Sequence, residues 1–185
     1  APYLDTAWTV QVLRGVLLAL VVFAASPLIA TFFGEIEAAP LLRVLALSAF
    51  FQGSVSIGVV FFQKELELQR QFLFQLSGTA IDLAVALAVA LVLRNSWALV
   101  LGMLAGNLTR AVVSYLIHPY RPSVRFDRAK ASVLYGFGRW IFASTALAFL
   151  VTKGDSIFVG KAMGATALGL YQMAYMISNT PATEI

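Results

Sequence analysis

The sequence predicts an all-α polytopic membrane protein, a helical bundle with about six transmembrane helices. The 185 residues are 60% hydrophobic and 12% charged, whereas a soluble domain carries about twice that charged fraction. The few charged residues stand between long apolar runs. A domain of this size exposes much of its surface, so one small core cannot hide this many apolar side chains. Lipid is therefore expected to be the solvent for most of them.

The lengths of the apolar runs give the number of spans. Crossing the hydrocarbon core of ~30 Å takes about 20 apolar residues. Six intervals of that length or longer hold at most one Asp, Glu, Lys or Arg each. We accordingly predict transmembrane helices at 8–33, 42–63, 71–93, 96–118, 131–153 and 162–184. The breaks carry acids, prolines or tight polar turns, and Lys153-Gly-Asp155 is predicted to interrupt the outer end of the fifth helix.

Lysine and arginine predict the orientation, because they collect on the cytoplasmic side of membrane proteins. Alternating spans place eight of them on one side and four on the other, so the first helix is expected to run outward. The longest and most basic connection, residues 119–130, is predicted to be a cytoplasmic linker. It would separate four helices in 1–118, the end of a first bundle, from two in 131–185, the start of a second. We expect both ends of the sequence to be cuts inside a longer protein.

Two charged residues lie deep within predicted spans. An intramembrane charge costs ~2.5–3.5 kcal/mol on insertion scales, so it tends to face protein or water and often serves function. Asp82 shares a helix face with small residues at spacing four, and Arg110 shares one with Gly102 and Gly106. One interpretation is an Asp82–Arg110 ion pair that joins neighbouring helices. The other is the wall of a charged cavity that binds an anionic head group, and the two interpretations are compatible.

Three further charged residues are candidates. Arg139, about two turns inside the fifth span, can reach a phosphate near the cytoplasmic mouth or extend to the inner head groups. Lys153 and Asp155 can pair locally or line an outer vestibule.

Other kinds of site find little support. There is no cysteine and one histidine, His118, which argues against a metal site within these residues. We see no catalytic constellation and predict no enzyme activity and no cofactor. The basic residues lie between apolar spans, so nucleic acid is not an expected partner, whereas membrane lipids are.

Several motifs resemble a known family. The sequence is similar to the bacterial polysaccharide-biosynthesis flippases of the multidrug/oligosaccharidyl-lipid/polysaccharide exporter superfamily. The likeness covers nearly the whole chain and is carried by Leu4-Asp-Thr-Ala-Trp8, Arg43-Val-Leu-Ala-Leu47, Arg121-Pro-Ser-Val-Arg-Phe-Asp127, Phe137-Gly-Arg-Trp140 and, most specifically, 154–171 with Ala174-Tyr175.

The resemblance implies two six-helix bundles around a central cavity, of which this chain would hold helices three to eight. It also implies export of undecaprenyl-pyrophosphate-linked oligosaccharide across the bacterial inner membrane, with cationic cavity residues as substrate contacts. Arg110, Arg139 and Asp82 are the candidates for that role here. Other polysaccharide assembly proteins are potential partners. Three alternatives stay open: a drug or metabolite exporter of the same superfamily, a membrane enzyme of polysaccharide assembly, and a scaffold without transport activity.

Overall fold

The fold is all-α, as the sequence predicts. The computed structural model describes residues 2–118, 120–123 and 127–183, and the regular elements in these ranges are α-helices. They are α1 (Pro2–Phe33), α2 (Ala38–Gly53), α3 (Val59–Lys64), α4 (Leu68–Leu93), α5 (Trp97–Ile117) and α6 (Arg128–Thr183).

Among the described residues, four stretches are long and apolar enough to cross a membrane: Leu4–Phe33, Leu68–Leu93, Trp97–Ile117 and Gly138–Ser178. Large apolar side chains on these helices point outward; Leu91 is 78% exposed, Val92 80% and Leu116 75%. In water, exposed apolar surface on this scale would be costly. The chain is thus a multi-pass membrane protein.

The second predicted span, 42–63, is not one helix. α2 ends at Gly53, and a non-helical segment, Ser54–Gly58, separates it from α3. At ~1.5 Å per residue the 16 residues of α2 extend about 24 Å, less than the hydrocarbon core requires. The prediction of an uninterrupted helix is therefore wrong. Irregular backbone at membrane depth is tolerated where protein or a water-filled cavity surrounds it.

The helix interruption between the last two predicted spans, 131–153 and 162–184, lies at a different residue from the predicted one. α6 is helical through Lys153, Gly154 and Asp155, and its non-helical residue is Gly164, with φ 84° and ψ 176°. A positive φ of this kind is readily adopted only by glycine, whereas charged side chains near a membrane interface do not by themselves end a helix. The predicted interruption at Lys153-Gly-Asp155 is wrong for this reason.

The helices group into two compact units. The first contains Ala1–Ser26 and Pro40–Leu134, and the second contains Pro27–Ala39 and Tyr135–Ile185. Part of the predicted 119–130 linker, residues 119 and 124–126 with Arg125, lies outside the described residues. The predicted division of the chain into two bundles at this linker stays a prediction.

In the first unit, α1 and α2 cross at two glycines. A Cβ added to Gly15 would lie 2.8 Å from the Cα of Gly53 and 3.0 Å from the carbonyl oxygen of Ala49. Both atoms belong to the backbone and cannot move independently of the helix. Glycine is thus required for this approach, which brings the end of α2 against the first half of α1.

Hydrogen bonds join residues 120–123, which follow α5, to the start of α1. Asp5 is 7% exposed and accepts hydrogen bonds from the hydroxyl of Tyr120 and, at 3.3 Å, from the backbone N–H of Ser123. The N–H of Tyr120 in turn donates to Nδ1 of His118 at 3.0 Å. Burial, together with the hydrogen bond to the carboxylate, raises the pKa of Tyr120 to about 12. These contacts join two of the motifs that carry the family resemblance.

Candidate functional site

The helices α4 and α5 pack along the faces that the sequence predicts. A Cβ on Gly102 would lie 2.7 Å from the Cβ of Ala86, and one on Gly106 would lie 2.8 Å from the Cβ of Asp82. Both glycines are buried. The prediction that Asp82 and Arg110 sit on packed helix faces is confirmed, since each charged side chain lies against a glycine of the other helix.

The predicted ion pair between Asp82 and Arg110 is wrong. The stem of Arg110 lies across Gly78, one turn before Asp82 on α4, and a Cβ on Gly78 would be 2.4 Å from Cγ and Nε of the arginine. Nη2 of Arg110 donates to Oγ1 of Thr79 at 3.1 Å, and Nη1 donates to Oδ1 of Asn107 at 3.4 Å. Within the described ranges no carboxylate lies within 4.0 Å of this guanidinium, so this part of the chain forms no ion pair with it.

Side chains of α1 and α5 bind the polar backbone of the break between α2 and α3. Nε2 of Gln11 donates to the carbonyl oxygens of Gly53, at 3.2 Å, and Val55, at 3.1 Å. The buried N–H of Ser56 donates to Oγ of Ser114 at 2.9 Å, and the hydroxyl of Tyr115 donates to the carbonyl of Ser54 at 2.7 Å. Because hydrocarbon offers no partners for these groups, such bonds allow the helix to be interrupted inside the membrane.

A cavity of about 390 Å³ opens beside this break. We call it the cationic pocket, because two arginines contribute to its wall. Its lining residues come from the first unit and are Gln11, Arg14, Gln52, Val55, Ser56, Ile57, Val59, Val60, Phe74, Gln75, Asn107 and Arg110.

The lining of the cationic pocket favours an anion. Two arginines and four residues with carboxamide side chains line it, and no acidic residue of the described ranges does. Nε of Arg110 is buried and donates to no acceptor in the described part of the chain. Guanidinium groups match phosphate oxygens in a bidentate manner, and carboxamides can both donate to and accept from hydroxyl groups. The pocket can therefore bind a phosphate group together with neighbouring hydroxyls.

The positions of Arg14 and Arg110 along their helices indicate the depth of the pocket in the membrane. Arg14 lies three turns from the start of α1, and Arg110 lies two turns before the end of α5. In the predicted orientation both helix ends are cytoplasmic. The predicted orientation would place the pocket in the inner half of the bilayer, and this placement stays a prediction.

The other predicted site residues lie elsewhere. Arg139 is exposed, and its guanidinium carbon stands 5.5 Å from the centre of the Trp140 ring. It belongs to the second unit, and its role as a substrate contact stays a prediction.

Lys153 and Asp155 do not form the local pair that the sequence suggested. Nζ of Lys153 lies 6.0 Å from the centre of the Tyr175 ring. Asp155 accepts hydrogen bonds from the hydroxyl of Tyr171 and, at 2.7 Å, from the N–H of Ser156. Residues two apart on a helix do not face each other, which explains why the pair is not made. Their role in an outer vestibule stays a prediction.

Sequence reasoning missed most of the pocket. It did not name Arg14, Gln11 or Asn107 among the candidate site residues. The available signal was a repeated spacing: Gln11 and Arg14, like Asn107 and Arg110, stand three residues apart within an apolar span. Residues at this spacing share a helix face, so each pair marks a polar patch on an otherwise apolar helix.

The comparison with known proteins covers the whole chain. Residues 1–185 match the family model described as polysaccharide biosynthesis protein. The chain is 24% identical to the teichuronic acid biosynthesis protein TuaB of Bacillus subtilis (strain 168), over 98% of the chain and 38% of that protein. It is also 24% identical to the lipopolysaccharide biosynthesis protein WzxC of Escherichia coli (strain K12), over 98% of the chain and 37% of that protein.

A third relative is more distant. The chain is 21% identical to the succinoglycan biosynthesis transport protein ExoT of Rhizobium meliloti (strain 1021), over 89% of the chain and 33% of that protein. No solved structure matches the chain significantly. The chain spans 33–38% of the length of the curated relatives it matches. The match along its full length shows that the chain belongs to the polysaccharide biosynthesis protein family.

Proposed function

We propose that the chain is part of a flippase that moves a lipid-linked oligosaccharide outward across the bacterial inner membrane. The names of the relatives support a role in polysaccharide biosynthesis, and one of them is named a transport protein. The substrate in this proposal is an undecaprenyl-pyrophosphate-linked oligosaccharide. Its pyrophosphate and first sugars enter the cationic pocket while the hydrocarbon chain stays in the bilayer.

The observation that carries the proposal is the presence of Arg14 and Arg110 in the wall of one pocket whose described lining contains no acidic residue. A guanidinium held inside a membrane protein without a counter-charge is costly, and an anionic ligand offsets that cost. Pyrophosphate supplies several negative oxygens in a compact group, and arginine binds such oxygens with two parallel hydrogen bonds. Charge and hydrogen-bonding capacity thus match the polar part of the proposed substrate.

The broken helix supports transport over static binding. Interrupted helices in membrane transporters commonly form the substrate site at membrane depth. Here the break at Ser54–Gly58 contributes Val55, Ser56 and Ile57 to the wall of the pocket. A break in regular backbone provides a place where the wall can change shape as the pocket opens to one side or the other.

The proposal assigns no covalent step to the chain. The pocket offers cations and carboxamides, which bind and orient an anion. We therefore propose a transporter and not an enzyme. A membrane enzyme acting on the same substrate would alter its chemical structure, so the transported saccharide should be recovered unchanged.

The proposal can be tested in the full-length protein, in a strain that lacks the natural copy. Arg14→Gln, Arg110→Gln and the double variant should reduce surface polysaccharide, and the double variant should abolish it. Arg70→Gln is a matched control with the same change of charge, because Arg70 is exposed and pairs with Glu67 at 3.0 Å outside the pocket. Arg139→Gln tests the other predicted contact separately.

Membrane levels of each variant should be compared by immunoblot, so that lost protein is not mistaken for lost transport. If the double variant, present at the wild-type level, still supports normal surface polysaccharide, the assignment of the cationic pocket to substrate binding is wrong. Accumulation of lipid-linked oligosaccharide on the inner side in the double variant would support the transport role over a scaffold role.

A further inference from the structure

We infer that Gly78, Thr79 and Asn107 are positioning residues, which hold the Arg110 guanidinium in one orientation for a pyrophosphate or phosphate group. The inference rests on the proposed function, since it concerns how the same pocket binds its anion. It adds three residues that act through Arg110, and it gives each of them a separate physical role.

Gly78 provides the surface on which the arginine lies. A Cβ at this position would stand 2.4 Å from both Cγ and Nε of Arg110 and 2.9 Å from Cδ. Two of these three atoms belong to the aliphatic stem, close to the backbone, and not to the flexible tip. A methyl group at Gly78 would therefore force the whole side chain into a different rotamer.

Thr79 and Asn107 fix the plane of the guanidinium. The hydroxyl of Thr79 accepts from Nη2 at 3.1 Å, and the carbonyl of Asn107 accepts from Nη1 at 3.4 Å. The two acceptors come from different helices, α4 and α5, and they bind different nitrogens. Asn107 is 5% exposed, so its own position is determined by packing. Two points of attachment leave a planar group little freedom to rotate.

The two acceptors, Thr79 and Asn107, leave the positive charge of Arg110 available to a ligand. A hydroxyl and a carboxamide accept hydrogen bonds without carrying a negative charge, so they orient Arg110 without competing with an anionic ligand. Asp82 lies one turn from Gly78 on the same helix and packs against Gly102 and Gly106 instead. A cation that is already held in place loses less conformational freedom when it binds its ligand.

A purely structural role is the rival interpretation, in which Gly78 and Thr79 matter for packing of α4 against α5 and not for Arg110. The variants Thr79→Val and Thr79→Ser distinguish the structural role from the positioning role. Valine has the shape of threonine but cannot accept a hydrogen bond, whereas serine keeps the acceptor. Thr79 is exposed, so neither change should prevent folding.

The experiment measures the binding of inorganic pyrophosphate to purified full-length protein by titration calorimetry. Arg110→Gln should weaken binding at least about tenfold. Thr79→Val should weaken binding about 3- to 10-fold, because it removes a single hydrogen bond. Thr79→Ser keeps that hydrogen bond and should bind as the wild type. Gly78→Ala should approach the effect of Arg110→Gln. Melting temperatures show which variants are folded.

The combined variant Thr79→Val/Arg110→Gln gives the decisive comparison. It should bind no more weakly than Arg110→Gln alone, because Thr79 acts through the arginine. The inference is overturned if Thr79→Val binds as tightly as the wild type, or if its effect persists in full in the Arg110→Gln background. If Arg110→Gln itself binds pyrophosphate normally, the failure lies in the proposed function of the pocket.

Discussion

Arg110 lies across Gly78 and not against Asp82, although all three residues belong to the same interface between α4 and α5. The arginine donates to the neutral acceptors Thr79 and Asn107. Within the part of the chain that the structure describes, its charge is left without a carboxylate partner. An intramembrane ion pair would hold the two helices together, whereas this arrangement leaves a fixed cation that can bind an anion.

The crossing of α1 and α2 should not tolerate a side chain. Gly15→Ala places a methyl group 2.8 Å from the Cα of Gly53, so the helices must separate. Overpacking of this kind costs about 1–3 kcal/mol. We expect a lower melting temperature for the full-length protein in detergent. Gly154→Ala is the control, because its Cβ would meet nothing within 4 Å; equal melting temperatures for the two variants would show that the crossing is not as close as described.

The break between α2 and α3 should depend on Ser114. Ser114→Ala removes the acceptor of the buried Ser56 N–H, and an unsatisfied buried donor costs about 1–3 kcal/mol. Because the break borders the pocket, binding of pyrophosphate should weaken as well. Ser144→Ala provides the comparison, since Ser144 is exposed and bonds to the carbonyl of Ile141 within its own helix. Stability and binding that are unchanged in Ser114→Ala would argue against this role.

The stabilisation provided by the hydrogen bond from Tyr120 to Asp5 should depend on pH. The pKa of Tyr120 is raised from 10.0 to about 12, so the folded protein favours the neutral phenol. The resulting stabilisation is fully present below pH 10 and is lost as the pH rises through 12. Wild-type protein should melt at a higher temperature than Tyr120→Phe at pH 8, and the difference should shrink between pH 10 and 12. A difference that is constant over this range would exclude the proposed titration.

The sequence predicts α4 and α5 well, because polar segments flank two long apolar runs. The predicted spans 71–93 and 96–118 correspond to α4 (Leu68–Leu93) and α5 (Trp97–Ile117). The small residues on α4 and α5 also predict correctly which faces of the two helices pack together, since close approach of helices requires small side chains. Both signals are local and can be read from spacing alone.

The break between α2 and α3 could not be predicted in the same way. Residues 44–63 carry no charge, and the run is as apolar as an uninterrupted span. What permits the break is a set of partners distant in sequence: Gln11, Ser114 and Tyr115. Gly53, just before the break, and Gly58, its last residue, are a weak signal, because glycine is also common at helix crossings.

The candidate site was predicted in part. Arg110 was identified because a charge deep in an apolar span is costly and seldom accidental. Its partner was wrongly assigned, because estimates of depth along two helices do not reveal which rotamer the side chain adopts. Arg14 was missed, because its proximity to Arg110 depends on how α1 packs beside the break.

The most direct test of the account uses purified full-length protein in lipid vesicles that contain undecaprenyl-pyrophosphate-linked oligosaccharide. The measurement is the fraction of this lipid that crosses the bilayer with time. We expect rapid crossing with wild-type protein and with Arg70→Gln, and no more than the protein-free rate with Arg14→Gln/Arg110→Gln. Wild-type rates in the double variant would contradict the claim that these two arginines bind the transported anion.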